Sequence, residues 1–211
     1  MKKLSGFLSF ALVAWLAGTG TAYAADDAVI PPPKFQYCTV CHGIQMGGNF
    51  LNAAPRLSGM DKRYVERQLN AFKNGWRGVH PDDNGGHEMR PMAAILSDKE
   101  ISEVAKYVSA VDSAAPAVSV VGDAQRGKTL YASCSACHGA AAEGNMLVGG
   151  PALTGLNDWY QLTQLKNYKA GVRGNDPDDT YGKQMQSATA LLTDEQAMQD
   201  VVHYIATLDS K

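Results

Sequence analysis

The chain contains the same short motif twice, and the distance between the two copies recurs along most of the sequence. CTVCHG occupies residues 38–43 and CSACHG occupies residues 134–139, an offset of 96 residues. The same offset relates six further pairs: Pro55 and Pro151, Gly59 and Gly155, Tyr64 and Tyr160, Gln68 and Gln164, Arg77 and Arg173, Met89 and Met185. So many matches at one spacing indicate a tandem duplication of one structural unit.

The sequence divides into four segments. Residues 1–24 have two lysines, an apolar stretch and an Ala-Tyr-Ala cleavage site, which is the pattern of a secretory signal peptide. We therefore predict export to the periplasm, with an uncleaved membrane anchor as the alternative. Residues 112–122 are rich in Ala, Ser, Val and Pro, and this composition predicts a linker. It joins a first unit (residues 25–111) to a second unit (residues 123–211).

The charge and hydropathy of the mature chain restrict its partners. Without the two lysines of the signal peptide, 17 Lys and Arg residues stand against 21 Asp and Glu residues, a net charge of −4. A mildly acidic chain is a poor ligand for nucleic acid, which selects basic surfaces. No later apolar run approaches the roughly 20 residues of a transmembrane helix. We expect protein or small-molecule partners and a mature chain that does not span a membrane.

The motif itself predicts the cofactor. Four cysteines in an exported chain are compatible with two disulfides, and cysteine pairs also occur in zinc sites. Neither interpretation requires a histidine directly after the second cysteine in both copies, whereas Cys-x-x-Cys-His is the attachment pattern of c-type haem. We therefore predict two covalently bound haem c groups, each iron having the motif histidine as its proximal ligand. The residues concerned are Cys38, Cys41 and His42 in the first unit and Cys134, Cys137 and His138 in the second.

The spacing of apolar residues predicts an all-α fold. Middle helices are expected at 61–74 and 158–170, and an opening helix at about 123–133 precedes the second motif. Ser97-x-x-Glu100 and Thr193-x-x-Gln196 match capping boxes that would begin the closing helices, with one residue inserted after the second cap. In the first unit, three consecutive prolines in PPPKFQY are expected to shorten or remove the opening helix.

A sixth iron ligand shared by both units should occur at equivalent positions. No histidine outside the motifs has a histidine partner at the 96-residue offset, and His203 is expected at the surface. Among the eight methionines only Met89 and Met185 coincide, and both are expected in a loop before the closing helix. The alternatives are that they only fill the core, or that Met92 replaces Met89. His/Met coordination raises the reduction potential and favours electron transfer over ligand binding.

Further repeat-paired residues are candidates for contacts around each haem. Pro55 and Pro151 lie 13 residues after the proximal histidines, and their carbonyl groups are placed to accept the histidine Nδ1–H. The alternative is that they are ordinary turn prolines. Paired arginines and tyrosines are candidates for binding the haem propionates, with solvent exposure as the alternative for the arginines. These residues are Arg77 and Arg173, with Tyr64 and Tyr160.

Three segments of each unit carry a resemblance to a known family: residues 38–42, 55–59 and 89–98, and their counterparts 134–138, 151–155 and 185–194. They resemble class I cytochromes c, and in particular the diheme cytochromes of the c4 type. The resemblance covers essentially the whole mature chain. It implies two tandem cytochrome c-type domains, each wrapping one haem, with the two haem edges adjacent. It also implies electron exchange with periplasmic or membrane-bound redox proteins, such as a donor dehydrogenase or quinol-oxidising complex and an acceptor oxidase.

Three functions compete at this stage. The first is a periplasmic electron carrier in a respiratory chain, which cycles between Fe(II) and Fe(III). The second is a dedicated electron-transfer subunit of a periplasmic dehydrogenase or terminal oxidase complex. The third is a haem enzyme, which needs an open or exchangeable iron site. The paired methionines favour the first two, so we expect no enzymatic activity.

Overall fold

The computed structural model describes residues 30–208, so the predicted signal peptide at 1–24 lies outside the described residues. The helices of this range are α1 (Gln36–His42), α2 (Lys62–Lys73), α3 (Asn84–Ala94), α4 (Asp98–Ala110), α5 (Ala124–Tyr131), α6 (Ser135–His138), α7 (Asp158–Lys169), α8 (Thr180–Thr189) and α9 (Glu195–Ala206). Two 3-10 turns lie at Pro33–Phe35 and Phe50–Asn52. Between residues 30 and 208, β-pairing is limited to two isolated bridges. The predicted all-α class is confirmed.

Each unit has its own hydrophobic core, built around its closing helix. In the first unit, Ile101, Val104 and Val108 on α4 are buried, and α4 packs against α2. In the second unit, Val202 and Ile205 on α9 are buried, and α9 packs against α5 and α7. Each fully buried side chain of this size contributes roughly 1.5–3 kcal/mol. The apolar stripes predicted from the spacing therefore form the two cores.

The two closing helices begin differently. Ser97 caps α4 in the predicted capping box, and the Glu100 side chain accepts a hydrogen bond from the Ser97 backbone N–H. The predicted box at Thr193 is wrong, because Asp194 is the N-cap of α9 and accepts from the Ala197 N–H at 2.7 Å. An Asp side chain is a strong N-cap, and it moves the start of α9 by one residue. The inserted residue therefore precedes the cap.

The opening segments of the two units differ as the prolines suggest. In the second unit, α5 lies so close to α9 that a β-carbon at Gly127 would collide with the Asp200 backbone carbonyl. In the first unit, the described part of the equivalent segment contains only the 3-10 turn before α1. Phe35 at the end of this turn is buried in the first core. One aromatic side chain thus occupies a position beside the closing helix.

The linker is bound to both units. The Arg56 guanidinium donates hydrogen bonds to the carbonyl oxygens of residues 113 and 114. The Asp158 carboxylate accepts from Ser119 Oγ and from the backbone N–H groups of Ser119 and Val120. His203, predicted to be a surface residue, is half-buried instead, and its Nδ1–H donates to the Val120 carbonyl at 2.9 Å. The helix surface that looked free in the sequence is covered by the linker.

Direct contacts also join the two units. Asn157 Oδ1 accepts from the Arg56 backbone N–H at 2.6 Å, and its Nδ2 donates to the Gly47 carbonyl at 3.4 Å. Phe50 packs edge-on against Trp159, with 5.5 Å between the ring centroids. These contacts place the two motif-bearing regions against a common interface.

Candidate haem sites

Each motif histidine is the last residue of a short helix. α1 ends at His42 and α6 at His138, and the following glycines, Gly43 and Gly139, have φ angles of 81° and 83°. Glycine is favoured in this left-handed region because it has no β-carbon. The chain therefore turns sharply after each histidine, and both imidazoles are buried.

The two histidines share one hydrogen bond. His42 Nδ1 lies 2.8 Å from the Pro55 carbonyl oxygen, and His138 Nδ1 lies 2.8 Å from that of Pro151. A carbonyl only accepts, so Nδ1 carries the proton and Nε2 has the free lone pair. Burial lowers the pKa of both histidines, although the prolyl carbonyl opposes this shift. Each ring is thus held in the neutral form that binds a metal.

The other ring nitrogen of His42, Nε2, has no polar contact within residues 30–208. This atom is buried and has no hydrogen-bond partner among the described residues. A buried polar atom without a partner costs about 1–3 kcal/mol, and iron ligation would satisfy it. The observation fits a haem iron at this position.

The four motif cysteines form no disulfide with one another. Burial raises the pKa of the Cys38 and Cys134 thiols, so neither is an activated thiolate. No cluster of three or more His, Cys, Asp or Glu side chains suited to a metal occurs within residues 30–208. The disulfide and zinc interpretations therefore gain no support there, whereas two thiols beside a buried histidine fit covalent haem attachment.

A largely apolar cavity in the second unit, here called the second-unit cavity, brings the candidate haem contacts together. Its lining includes Cys137, His138, Leu165, Met185 and Ile205. The first unit contributes three residues of α2 to the same lining: Tyr64, Arg67 and Gln68. An apolar cavity with a histidine and a methionine in its wall fits a porphyrin with two axial ligands.

The two methionines lie in helices, not in a loop as predicted. Met89 is on α3 and Met185 on α8, and each helix begins with an aspartate N-cap. Asp83 accepts from the Gly86 N–H and Asp179 from the Gly182 N–H. The glycines and Pro91 lower the intrinsic helix propensity of these segments, which is why the sequence pattern missed them. Both methionines are partly buried.

Arg77 and Arg173 are buried, which overturns the exposed alternative: only 5% and 3% of their surface is exposed. Each guanidinium lies over an aromatic ring of its own unit, Phe72 at 4.2 Å and Tyr168 at 4.5 Å. The Nε of each arginine is buried without a hydrogen-bond partner among the described residues. Two buried cations with a spare donor suit anionic groups such as propionates.

Two glutamines connect these arginines across the interface, and the sequence analysis assigned them no role. Gln68 Oε1 accepts from Arg77 at 2.7 Å and from Arg173 at 2.7 Å. Gln164 Oε1 accepts from Arg173 at 2.6 Å and from Arg77 at 3.3 Å. The signal was present, because the two glutamines are related by the 96-residue offset.

The paired tyrosines are placed differently from each other. Both line the second-unit cavity, but only the Tyr64 phenol lies near an arginine donor, 3.4 Å from an Arg173 guanidinium nitrogen. Tyr160 packs beside Trp159. The structure therefore brings three of the four predicted propionate contacts into one network at the interface.

No helix within residues 30–208 combines the length and the apolar composition that crossing a membrane requires.

Comparison with known proteins agrees with this geometry. The cytochrome c family model matches residues 35–112 and 124–209. Cytochrome c4 of Stutzerimonas stutzeri is 34% identical over 79% of this chain and 84% of its own length. The thiosulfate dehydrogenase electron acceptor of S. stutzeri strain A1501 is 32% identical, over 85% of this chain and 82% of that protein.

A solved structure gives the same result. That of Acidithiobacillus ferrooxidans cytochrome c4 is 28% identical, with a TM-score of 0.65 over 81% of this chain and 98% of that one. Two matches to one family model, with one Cys-x-x-Cys-His motif in each, account for the tandem repeat. The chain therefore belongs to the cytochrome c family, as a c4-like, diheme electron-transfer protein with two covalently bound haem c groups.

Proposed function

We propose that this protein is a periplasmic electron carrier of a respiratory chain, with His/Met coordination at both haems. The proposed ligand pairs are His42 with Met89 and His138 with Met185. The observation that carries this proposal is the second-unit cavity, where His138 and Met185 line one apolar space. The first unit has the same histidine–proline hydrogen bond and a methionine at the matching helix position.

Different residues of the chain would have different roles in such a haem site. Pro55 and Pro151 fix the orientation of the histidine rings and keep their Nε2 atoms unprotonated. The apolar lining would limit water around the iron, and the buried Arg77 and Arg173 would bind the haem propionates at the interface. The haem, when bound, supplies a one-electron Fe(II)/Fe(III) couple. If a methionine binds each iron together with the motif histidine, no iron position would be open to a substrate, so we infer no enzymatic activity.

The names of the relatives support the choice of partners. Matches to cytochromes c4 and to a thiosulfate dehydrogenase electron acceptor favour a carrier between redox proteins. We infer a donor dehydrogenase or quinol-oxidising complex and an acceptor oxidase. The second candidate, a permanent subunit of a dehydrogenase or oxidase complex, is favoured by the thiosulfate dehydrogenase electron acceptor, whose name links it to one enzyme.

A fractionation and turnover experiment tests the proposal. The haem-containing protein should appear in the osmotic-shock fraction of the native bacterium and migrate as a free species on size exclusion. After reduction, the purified protein should be reoxidised by native membranes in the presence of oxygen, and cyanide should block this reaction. Stoichiometric co-purification with a dehydrogenase or oxidase would instead establish the second candidate. Retention in the cytoplasm would contradict both.

A further inference from the structure

Helix α2 of the first unit carries one charged residue that the second unit does not match. Tyr64 and Gln68 line the second-unit cavity and have the repeat partners Tyr160 and Gln164. Arg67 lines the same cavity, but residue 163, at the equivalent position, is threonine. The Thr163 hydroxyl donates to the Trp159 carbonyl of its own helix. At this helix position the first unit therefore contributes a cation to the other unit, whereas the second unit has an uncharged residue.

Arg67 is held in a defined position. Its guanidinium donates to the Gly149 carbonyl of the second unit at 2.6 Å. It lies 4.3 Å from the ring centroid of Tyr181, also in the second unit, and 5.3 Å from that of Tyr64. Such cation–π contacts add about 0.5–2 kcal/mol each, depending on how far they are removed from water. Arg67 therefore belongs structurally to the cavity of the other unit.

Among the described residues, no carboxylate compensates the charge of Arg67. None of the ion pairs formed within residues 30–208 involves Arg67. Its Nε is buried and has no hydrogen-bond partner among those residues. Burial acts to raise the pKa of the adjacent Tyr64 phenol, yet the charges of Arg173, Arg77 and Arg67 lower it overall. Three arginines therefore place positive charge beside the cavity, whose lining also contains Asp179, a carboxylate matched by Asp83 in the first unit.

Other buried charges do not distinguish the two haem sites in the same way. Arg77 and Arg173 are a repeat pair, so their effects on the two sites are matched. Among the unmatched buried charges, Arg56 and Asp158 bind the linker and Asp200 forms an ion pair with Arg126. None of the three lines the second-unit cavity. The Coulomb attraction of Asp112 also acts on Arg56 and offsets its charge. Arg67 remains as the unmatched cation at the cavity wall.

We propose that Arg67, a residue of the first unit, completes the haem site of the second unit and selectively raises the reduction potential of that haem. Reduction adds one negative charge, and a half-buried cation held at the cavity wall stabilises the reduced state by Coulomb attraction. Arg67 therefore biases the pair towards an electron on the second unit. The proposal rests on the two-haem assignment and not on the periplasmic partners.

The test is a potentiometric titration of the purified diheme protein with chemical mediators, followed by NMR of the haem methyl groups. Signals are assigned to each unit through contacts with its own side chains. Arg67→Gln removes the charge and keeps an amide donor for the Gly149 carbonyl. We expect the reduction equilibrium constant of the second-unit haem to fall about tenfold, which is about 59 mV for one electron. The first-unit haem should shift much less.

Two further variants separate charge from structure. Arg67→Lys retains the charge and should keep the second-unit potential near the wild-type value. Arg63→Gln is the matched control, because Arg63 lies on the same helix but is exposed and paired with Asp61. An unchanged second-unit potential in Arg67→Gln, an equal shift of both haems, or the same shift in Arg63→Gln would overturn the proposal. Because no partner protein is present, the outcome is independent of the proposed respiratory role.

Discussion

At the scale of single residues, each haem site is prepared by one backbone carbonyl. The prolyl oxygens of Pro55 and Pro151 hold Nδ1–H of the two histidines at the same distance of 2.8 Å. The Nε2 atom of each histidine is therefore unprotonated. Its direction is fixed, because the hydrogen bond at Nδ1 prevents the ring from rotating freely. The protein alone therefore sets the orientation of both histidine rings.

The methionine assignment is tested one unit at a time. Met89→Ala and Met185→Ala should each abolish the methionine–iron charge-transfer absorption of one haem and lower only that potential, because methionine ligation raises it. Oxidised-state absorption spectra and potentiometric titration measure both effects. Met92→Ala is the control, since Met92 lies on the same helix as Met89 and is 41% exposed. Loss of the band in Met92→Ala, with the band intact in Met89→Ala, would reassign the ligand.

At the scale of helices, the capping residues decide where the closing helices begin. Ser97→Ala should lower the free energy of unfolding by about 1 kcal/mol, since it removes one partner of a capping box. In the second unit, Asp194→Ala should destabilise more than Thr193→Ala, because Asp194 holds the cap. Urea denaturation followed by circular dichroism of the holoprotein measures these differences. A larger effect of Thr193→Ala would restore the cap that the sequence pattern suggested.

The N-terminal residue of α7 also makes stability depend on pH. Burial acts to raise the pKa of Asp158, but hydrogen bonds from Ser119, Val120 and Trp159 lower it overall. A carboxyl with a depressed pKa in the folded state stabilises the protein above its unfolded pKa. This contribution is lost as the pH falls through the folded-state value.

Asp158→Asn is therefore expected to be less stable than the wild type at pH 7, with the difference shrinking towards pH 3. Urea denaturation at pH 7, 5, 4 and 3 provides the measurement. Asp178→Asn is the control, because Asp178 is exposed and should show no such trend. A stability difference for Asp158→Asn that stays constant over this range would show that the carboxylate does not hold the linker through its charge.

At the scale of the whole molecule, the two units are joined by residues that each satisfy a group on the other side. Arg77 and Arg173 each donate hydrogen bonds to both Gln68 and Gln164, so each arginine has one acceptor in its own unit and one in the other. Buried polar networks of this kind favour one arrangement of the parts, because a displaced donor would lose its partner. The interface therefore sets the mutual position of the two haem sites.

Asn157→Ala tests the other end of this interface. It leaves the buried Arg56 N–H without its acceptor, which should cost about 1–3 kcal/mol. We expect a lower unfolding midpoint and faster proteolysis within the linker at residues 112–122. Asn167→Ala is a suitable comparison, because Asn167 lies on the same helix and its side chain has no hydrogen bond across the interface among the described residues. Equal proteolysis rates in the two variants would show that Asn157 does not fasten the units.

Much of the fold was predictable because the duplication shows the same helix pattern at two places in the sequence. The middle helices were expected at 61–74 and 158–170, and α2 and α7 lie within a residue of these limits. Helices α3 and α8 were not predicted, because their glycines and Pro91 are poor helix formers. There the aspartate N-caps and packing within the unit outweigh intrinsic propensity.

The sequence alone determined the cofactor and the number of units, since covalent motifs and repeat spacing do not depend on how the units dock. The same spacing selected Met89 and Met185 as iron ligands, which stays a prediction. Only the tertiary structure decided the burial of Arg77 and Arg173, the shared glutamines and the reach of Arg67 into the second unit. These features arise from residues distant in the chain that meet at the interface. An offset of 96 residues reveals which positions are equivalent, but a contact between units depends on which surfaces exclude water together.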